Sequence, residues 1–215
     1  MKTVCKTEEG TVAFIMTELA PEYHDIALGL YYLPFSEGFA KRFPADTPHL
    51  ERIYQRFARY AEEMVLQTAQ IRPVPWDRAL AAFIDIIEGE HISWRLAGSV
   101  ALAVRGVDIS PRDLDLAVDN ASAPRLGELL LDYLVEPVLP TPGWIANWFG
   151  RAFLHARVEW IGVDDPYAIE GLETVHWRGR AVQVPPLEMQ LQEDRQRGLV
   201  ERVGKIEHYL MNRQR

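Results

Sequence analysis

The spacing of apolar positions changes along the chain, and the change marks its organisation. Apolar or small residues recur at Leu50, Ile53, Tyr54, Phe57, Ala61, Met64, Val65 and Thr68. Steps of three and four put them on one stripe of a helix. The pattern predicts a helix over residues 47–70, with Thr47 as its cap and Pro48 in its first turn. Glu51, Arg52, Arg56, Arg59, Glu62 and Glu63 fall on the opposite, solvated face. The preceding residues also read as helical, with a turn-rich middle broken by Pro34, Gly38, Pro44 and Pro48. The segment Ile71-Arg72-Pro73-Val74-Pro75 is a stiff linker, because each proline disfavours helix in the residue before it.

Beyond that linker the elements shorten and alternate. Leu80, Phe83, Ile84 and Ile87 predict a helix over 76–88, stopped at Gly89. Strands are expected over 92–97, 114–118 and 153–163, and helices over 100–105 and 124–134. Arg178-Gly179-Arg180 reads as the turn of a hairpin joining strands 174–177 and 181–184. Helices over 187–196 and 199–212 finish the chain. The expected architecture is α+β, a mixed sheet flanked by helices. It divides into a helical extension (1–72), a core (73–185) and C-terminal helices packed on the core (186–215).

Composition narrows the functional classes. Of 215 residues, 48% are apolar and 25% charged, the balance of a globular protein rather than a disordered chain. No apolar run approaches the roughly 20 residues that span a bilayer. The stretch Val12 to Met16 is too short for a signal peptide, so a cytoplasmic protein without membrane contact is expected. One cysteine, Cys5, permits neither an internal disulfide nor a cysteine zinc cluster. The scattered histidines lack zinc spacing. A formal charge of −8 lacks the broad positive footprint that long duplexes require, and an acidic surface suits a small cationic partner.

Three short segments carry candidate chemistry. In Trp94-Arg95-Leu96-Ala97-Gly98-Ser99-Val100, an apolar strand runs into Gly-Ser and a helix begins. Glycine allows a tight turn and close ligand approach, and the helix start presents free N–H groups and a hydroxyl to an anion. Alone, such a pair is ordinarily a turn and an N-cap. In Arg112-Asp113-Leu114-Asp115-Leu116, the acids lie two apart on a strand and share a face. Aspartate is a poor strand former, and two adjacent carboxylates repel, so a hard cation such as Mg²⁺ gives the pair a reason. A polar edge strand with solvated acids is the alternative. In Ala156-Arg157-Val158-Glu159-Trp160, Glu159 is a third strand acid. Beside the Asp113 strand it would complete a three-carboxylate site; otherwise it pairs with Arg157 or Arg151.

These residues resemble the signature of the nucleotidyltransferase superfamily, the fold shared by DNA polymerase beta-like, aminoglycoside and minimal nucleotidyltransferases. Gly98 and Ser99 match its Gly-Ser pair, Asp113 and Asp115 its metal-binding acids, and Glu159 its third acid. The stretch from Ile109 to Leu116 is similar to the Ser-Arg-Asp-Leu-Asp-Leu form of bacterial relatives tied to antibiotic modification and toxin–antitoxin systems. The resemblance covers roughly residues 76–185. It implies transfer of a nucleoside monophosphate from an NTP, ATP foremost, to an acceptor hydroxyl with release of pyrophosphate. It further implies Mg²⁺, as two ions, on Asp113, Asp115 and Glu159, with Glu159 also placed to act as a base. Gly98, Ser99 and Arg112 would contact phosphate, with Arg95 as a substitute. A small-molecule acceptor is favoured, and a homodimer is compatible with the helices. A partner module of toxin–antitoxin type, with little or no catalysis, is the rival reading. Pro186-Leu187-Glu188 fits the start of the helix that in relatives carries a phosphate-binding Lys, but only Lys205 follows here. Trp144, Trp148 and Phe149 are read as core or as a stacking surface, and Asp119 as a helix cap or a residue lining the acceptor pocket.

Overall fold

The computed structural model describes residues 1–36 and 38–213. The chain begins with a hairpin of β1 (Lys2–Glu8) and β2 (Thr11–Thr17), turned at Glu9-Gly10. A 3-10 turn and a short helix, α1 (His24–Gly29), lead to β3 (Leu33–Phe35) and β4 (Gly38–Pro44). The four strands form an antiparallel sheet in the order β1-β2-β4-β3. The expected N-terminal helical extension is therefore corrected: its first part is a four-stranded sheet, and among its described residues helix is confined to the 3-10 turn, α1 and the following long helix. The reason lies in Val12-Ala13-Phe14-Ile15-Met16, an apolar run whose two faces are both covered. Phe14 and Met16 enter the main core, whereas Ala13 and Ile15 pack with Ala40 and Phe35 on the other side. A strand buried on both faces shows no alternation.

The long helix α2 (Leu50–Thr68) buries Ile53, Phe57, Ala61 and Met64, as the spacing predicts. Its cap is His49 in the left-handed region (φ +63°), not Thr47. The helix joins two layers. Phe57 stacks on Phe14 of the first sheet at 5.4 Å, and Tyr60 stacks on Phe153 of the second at 4.6 Å. One continuous apolar core therefore runs from the N-terminal sheet through α2 into the second sheet.

That second sheet contains β5 (Trp94–Leu96), β6 (Leu114–Asp119), β7 (Leu134–Pro140), β8 (Trp148–Leu154) and β9 (Ala156–Val163). Its order is β5-β6-β9-β8-β7; β6 and β9 run parallel and the other neighbours antiparallel, a mixed sheet. The single strand expected over 153–163 is two strands folded back at His155, which sits at φ +63°. The strand β7 was not anticipated; it tolerates Pro137 and Pro140 because it lies at the sheet edge and carries register shifts. Around this sheet lie α3 (Trp76–Ile87), α4 (Gly98–Ala103) and α5 (Ser122–Leu129). The hairpin β10 (Glu173–Trp177) and β11 (Arg180–Val184) turns at Arg178-Gly179. Helices α6 (Leu187–Gln196) and α7 (Val200–Arg213) close the chain. A satellite cluster of Leu102, Val107, Leu187, Leu191 and Ile206 ties α6 and α7 to α4. No helix among the described residues is long and apolar enough to cross a membrane.

Candidate metal and phosphate site

Strand alternation sorts the second sheet into two faces. Leu114, Leu116, Val118, Val158 and Trp160 are buried on one of them. Asp115, Glu159, Arg151 and Phe149 alternate with these residues and share the other. In the parallel register of β6 and β9, Asp115 lies opposite Glu159. Asp113 immediately precedes β6. One oxygen from each of Asp113, Asp115 and Glu159 lies within 4.8 Å of the others. The structure thus brings together the three acids that the sequence singled out.

Gly98 belongs to the same construction. The Ala97 N–H donates to the Asp115 carbonyl at 2.9 Å, fixing the β5–α4 turn onto β6. Gly98 follows at φ +57°, and a Cβ built there would lie 2.2 Å from Asp115 Oδ2. Glycine is required here on two grounds: the left-handed backbone and the space that the carboxylate fills. The Gln190 amide on α6 donates to the Gly98 carbonyl at 3.0 Å, so the C-terminal helices also brace the turn. Ser99 sits half-buried in the first turn of α4.

Electrostatics set the three acids apart. Arg157 pairs with Asp113 and places Nε 3.2 Å from Glu159. Arg151 Nε donates to Glu159 Oε1 at 2.6 Å. Burial works against charge on Glu159, but Arg151 and Arg157 outweigh it and hold the carboxyl below its ordinary range. Asp115 goes the other way. Burial first, then the adjacent Asp113 and Glu159, push its carboxyl well above the usual carboxylate range, with Arg157 and Arg202 opposing. Two of the three acids are balanced by guanidinium groups, and the third holds a proton more tightly than an ordinary aspartate. An all-oxygen set of three carboxylates fits a hard divalent cation such as Mg²⁺ or Mn²⁺.

Other residues fall into place around this centre. Arg112 is exposed, its guanidinium directed to Gln70 at 3.4 Å. Arg95 donates to the Pro166 carbonyl at 2.8 Å, and Lys205 pairs with Glu201 at 3.0 Å. Asp119 accepts from the Ser122 N–H at 2.7 Å and so caps the start of α5. For Glu159 the two alternatives read from the sequence hold together, since it pairs with both arginines and also joins the other acids. Sequence reasoning missed Gln190, Asp194 and Arg202. The first two are buried polar residues on the same stripe of α6 as Leu187 and Leu191. Polar residues on an otherwise apolar stripe were the available signal. Arg202 Nε donates to Asp194 at 2.8 Å, and its charge reaches Asp115.

No protein-family model matches the chain, and no curated protein sequence does. Among solved structures, the chain is similar to a Thermotoga maritima protein assigned as a nucleotidyltransferase, at 21% identity and a TM-score of 0.49, over 63% of this chain and 92% of that one. It is also similar to a lincosamide antibiotic adenylyltransferase bound to lincomycin, at 13% identity and a TM-score of 0.41, over 53% of this chain and 82% of that one.

Proposed function

We propose that the chain is a metal-dependent nucleotidyltransferase, moving a nucleoside monophosphate from an NTP to a hydroxyl of a small-molecule acceptor. One observation carries this reading: three carboxylates converge within 4.8 Å, and one of them fills the space where Gly98 would need a Cβ. A structural cluster of acids would not need a glycine turn packed against it. A metal and phosphate site needs both, with the carboxylates on the cation and the open turn beside the phosphates.

In this reading Asp113, Asp115 and Glu159 hold the cation, which would supply charge neutralisation at the triphosphate and acidify the acceptor hydroxyl. The Gly98–Ser99 turn offers backbone N–H groups and the Ser99 hydroxyl to phosphate oxygens. Arg202 supplies positive charge from the side of α7, where Lys205 is engaged with Glu201. The acceptor oxygen forms a bond to the α-phosphorus, the bond from that phosphorus to the bridging oxygen breaks, and pyrophosphate leaves. The hydroxyl proton passes to solvent, because two guanidinium groups make Glu159 a weak proton acceptor. Positioning and electrostatics do most of the work in such a transfer.

The test is the melting temperature with each of the four NTPs, with and without Mg²⁺, for the wild type, Asp113→Asn and Asp115→Asn. A ligand at a hundred times its Kd stabilises the native state by about 2.7 kcal/mol. A magnesium-dependent rise with at least one NTP, lost in both variants, is expected. A rise of the same size in the variants would remove the acids from the site.

A further inference from the structure

The polar face of the second sheet continues past the triad to a cleft at its far edge. The cleft has a volume of about 430 Å³ and lies between the N-terminal sheet and the outer strands β7 and β8. Tyr31, Lys41, Glu136, Leu139, Trp144 and Phe149 line it. That size suits a small molecule rather than a peptide or a protein surface. We propose that this cleft is a binding site for a ring-bearing anionic small molecule, joined to the triad only through the row of buried ion pairs. The binding of such a molecule does not rest on the function proposed above.

Ring geometry supplies the first support. Trp144 meets Phe149 edge-on at 6.0 Å and 76°, and Tyr31 meets Trp144 at 6.4 Å and 79°. Trp144 and Tyr31 remain 42% and 54% exposed, so their remaining ring surface is free to take a planar guest. The cationic position among the rings is already filled by the protein. Lys41 Nζ sits 5.0 Å from the Phe149 centroid and 5.7 Å from that of Tyr31. A second cation would meet this ammonium and lose the ring faces to it.

Charge order supplies the second. Ion pairs run along the face from Lys41 to Glu136, Arg151, Glu159, Arg157 and Asp113. The signs alternate, so the row ends in a carboxylate at the triad and in an ammonium at the cleft. Glu136 is shared between Lys41 and Arg151 and is 1% exposed, whereas Lys41 keeps 20% of its side chain open. Lys41 can therefore meet an anion on a guest, and Glu136 has no free face for a cation. The face between the cleft and the triad is closed, because Glu136 and Arg151 are 1% and 0% exposed, so the cleft is a pocket of its own.

Three naphthalenes of matched shape test the idea by titration calorimetry with the full chain: 2-naphthoate, 2-naphthalenemethanol and the cationic 2-naphthylmethylamine. Naphthoate is expected to bind tightest and the amine weakest. Trp144→Ala, an exposed position, and Lys41→Met should each weaken naphthoate about tenfold. Asp113→Asn should leave naphthoate binding unchanged. The NTP-dependent melting rise should persist in Trp144→Ala, which shows that this variant folds. Equal affinity for the amine, or unchanged naphthoate affinity in Trp144→Ala, overturns the proposal. A concentration-dependent dimer dissolved by Trp144→Ala also overturns it, because a second copy would then fill the cleft. Naphthoate binding without any NTP response defeats the nucleotidyltransferase reading and upholds the anion-and-ring site. An NTP response without naphthoate binding defeats the binding site alone.

Discussion

Replacing Gly98 by alanine separates a tight turn from a turn built around a carboxylate. The backbone there lies at φ +57°, which costs a residue with a Cβ about 1–2 kcal/mol. The new methyl group would also meet Asp115 Oδ2 at 2.2 Å, so the carboxylate must retreat by about 1 Å to reach ordinary contact near 3.4 Å. A displacement of about 1 Å at a reacting centre costs on the order of a hundredfold in rate. Gly179 is the matched control: it has φ +79°, and its Cβ would find nothing within 4 Å. Gly179→Ala therefore carries the backbone cost without the collision. For a chain of this length both variants should melt about 2–8 °C lower than the wild type. Only Gly98→Ala should also lose the Mg²⁺–NTP melting rise. A full rise in Gly98→Ala, or an equal loss in Gly179→Ala, would show that the contact between Gly98 and Asp115 does not shape the site.

Further outcomes follow from the same geometry. The raised Asp115 carboxyl binds a proton more tightly in the folded chain than in the unfolded one, so without metal its contribution to stability falls as pH rises from the unfolded carboxylate value, about 3.9, through the raised folded value. Asp115→Asn removes that loss; urea titrations should show it gaining on the wild type as pH rises, and parallel curves would refute this. Arg151→Met leaves Glu136 and Glu159 without their shared cation and should cost about 3–5 kcal/mol in urea unfolding; a loss under about 1 kcal/mol would mean the row of charges is not coupled. Gly150→Ala would drive a Cβ to 2.2 Å from the buried Trp160 indole and should cost about 1–3 kcal/mol, with the melting rise on Mg²⁺–NTP unchanged; loss of that rise would couple the core face to the site.

The acids were legible because chemistry conflicted with local preference. Asp113, Asp115 and Glu159 interrupt strands that would be more stable without them, and such a conflict survives in a sequence only as residue type and spacing. Residue type and spacing left their meeting conditional on β6 and β9 lying side by side; the family resemblance implied it, and the parallel register pairs Asp115 with Glu159. Periodicity failed where both faces are covered. Val12 to Met16 lacks alternation because the N-terminal sheet buries one side in the main core and the other against Ala40 and Phe35. It failed again at His155, where one residue with φ +63° turns an apparent long strand into two. The largest gain from the structure is that these two misreadings concern one place. The N-terminal sheet supplies Lys41, and the fold at His155 creates β8, which supplies Phe149 and Arg151. Together they build the cleft and the row of charges leading from it to Glu159. Carboxylates that converge on a cation site are constrained by cation chemistry and leave a recognisable motif. A cleft made from a lysine of one sheet and rings of another is constrained only by tertiary packing, so its parts read in sequence as ordinary strand residues.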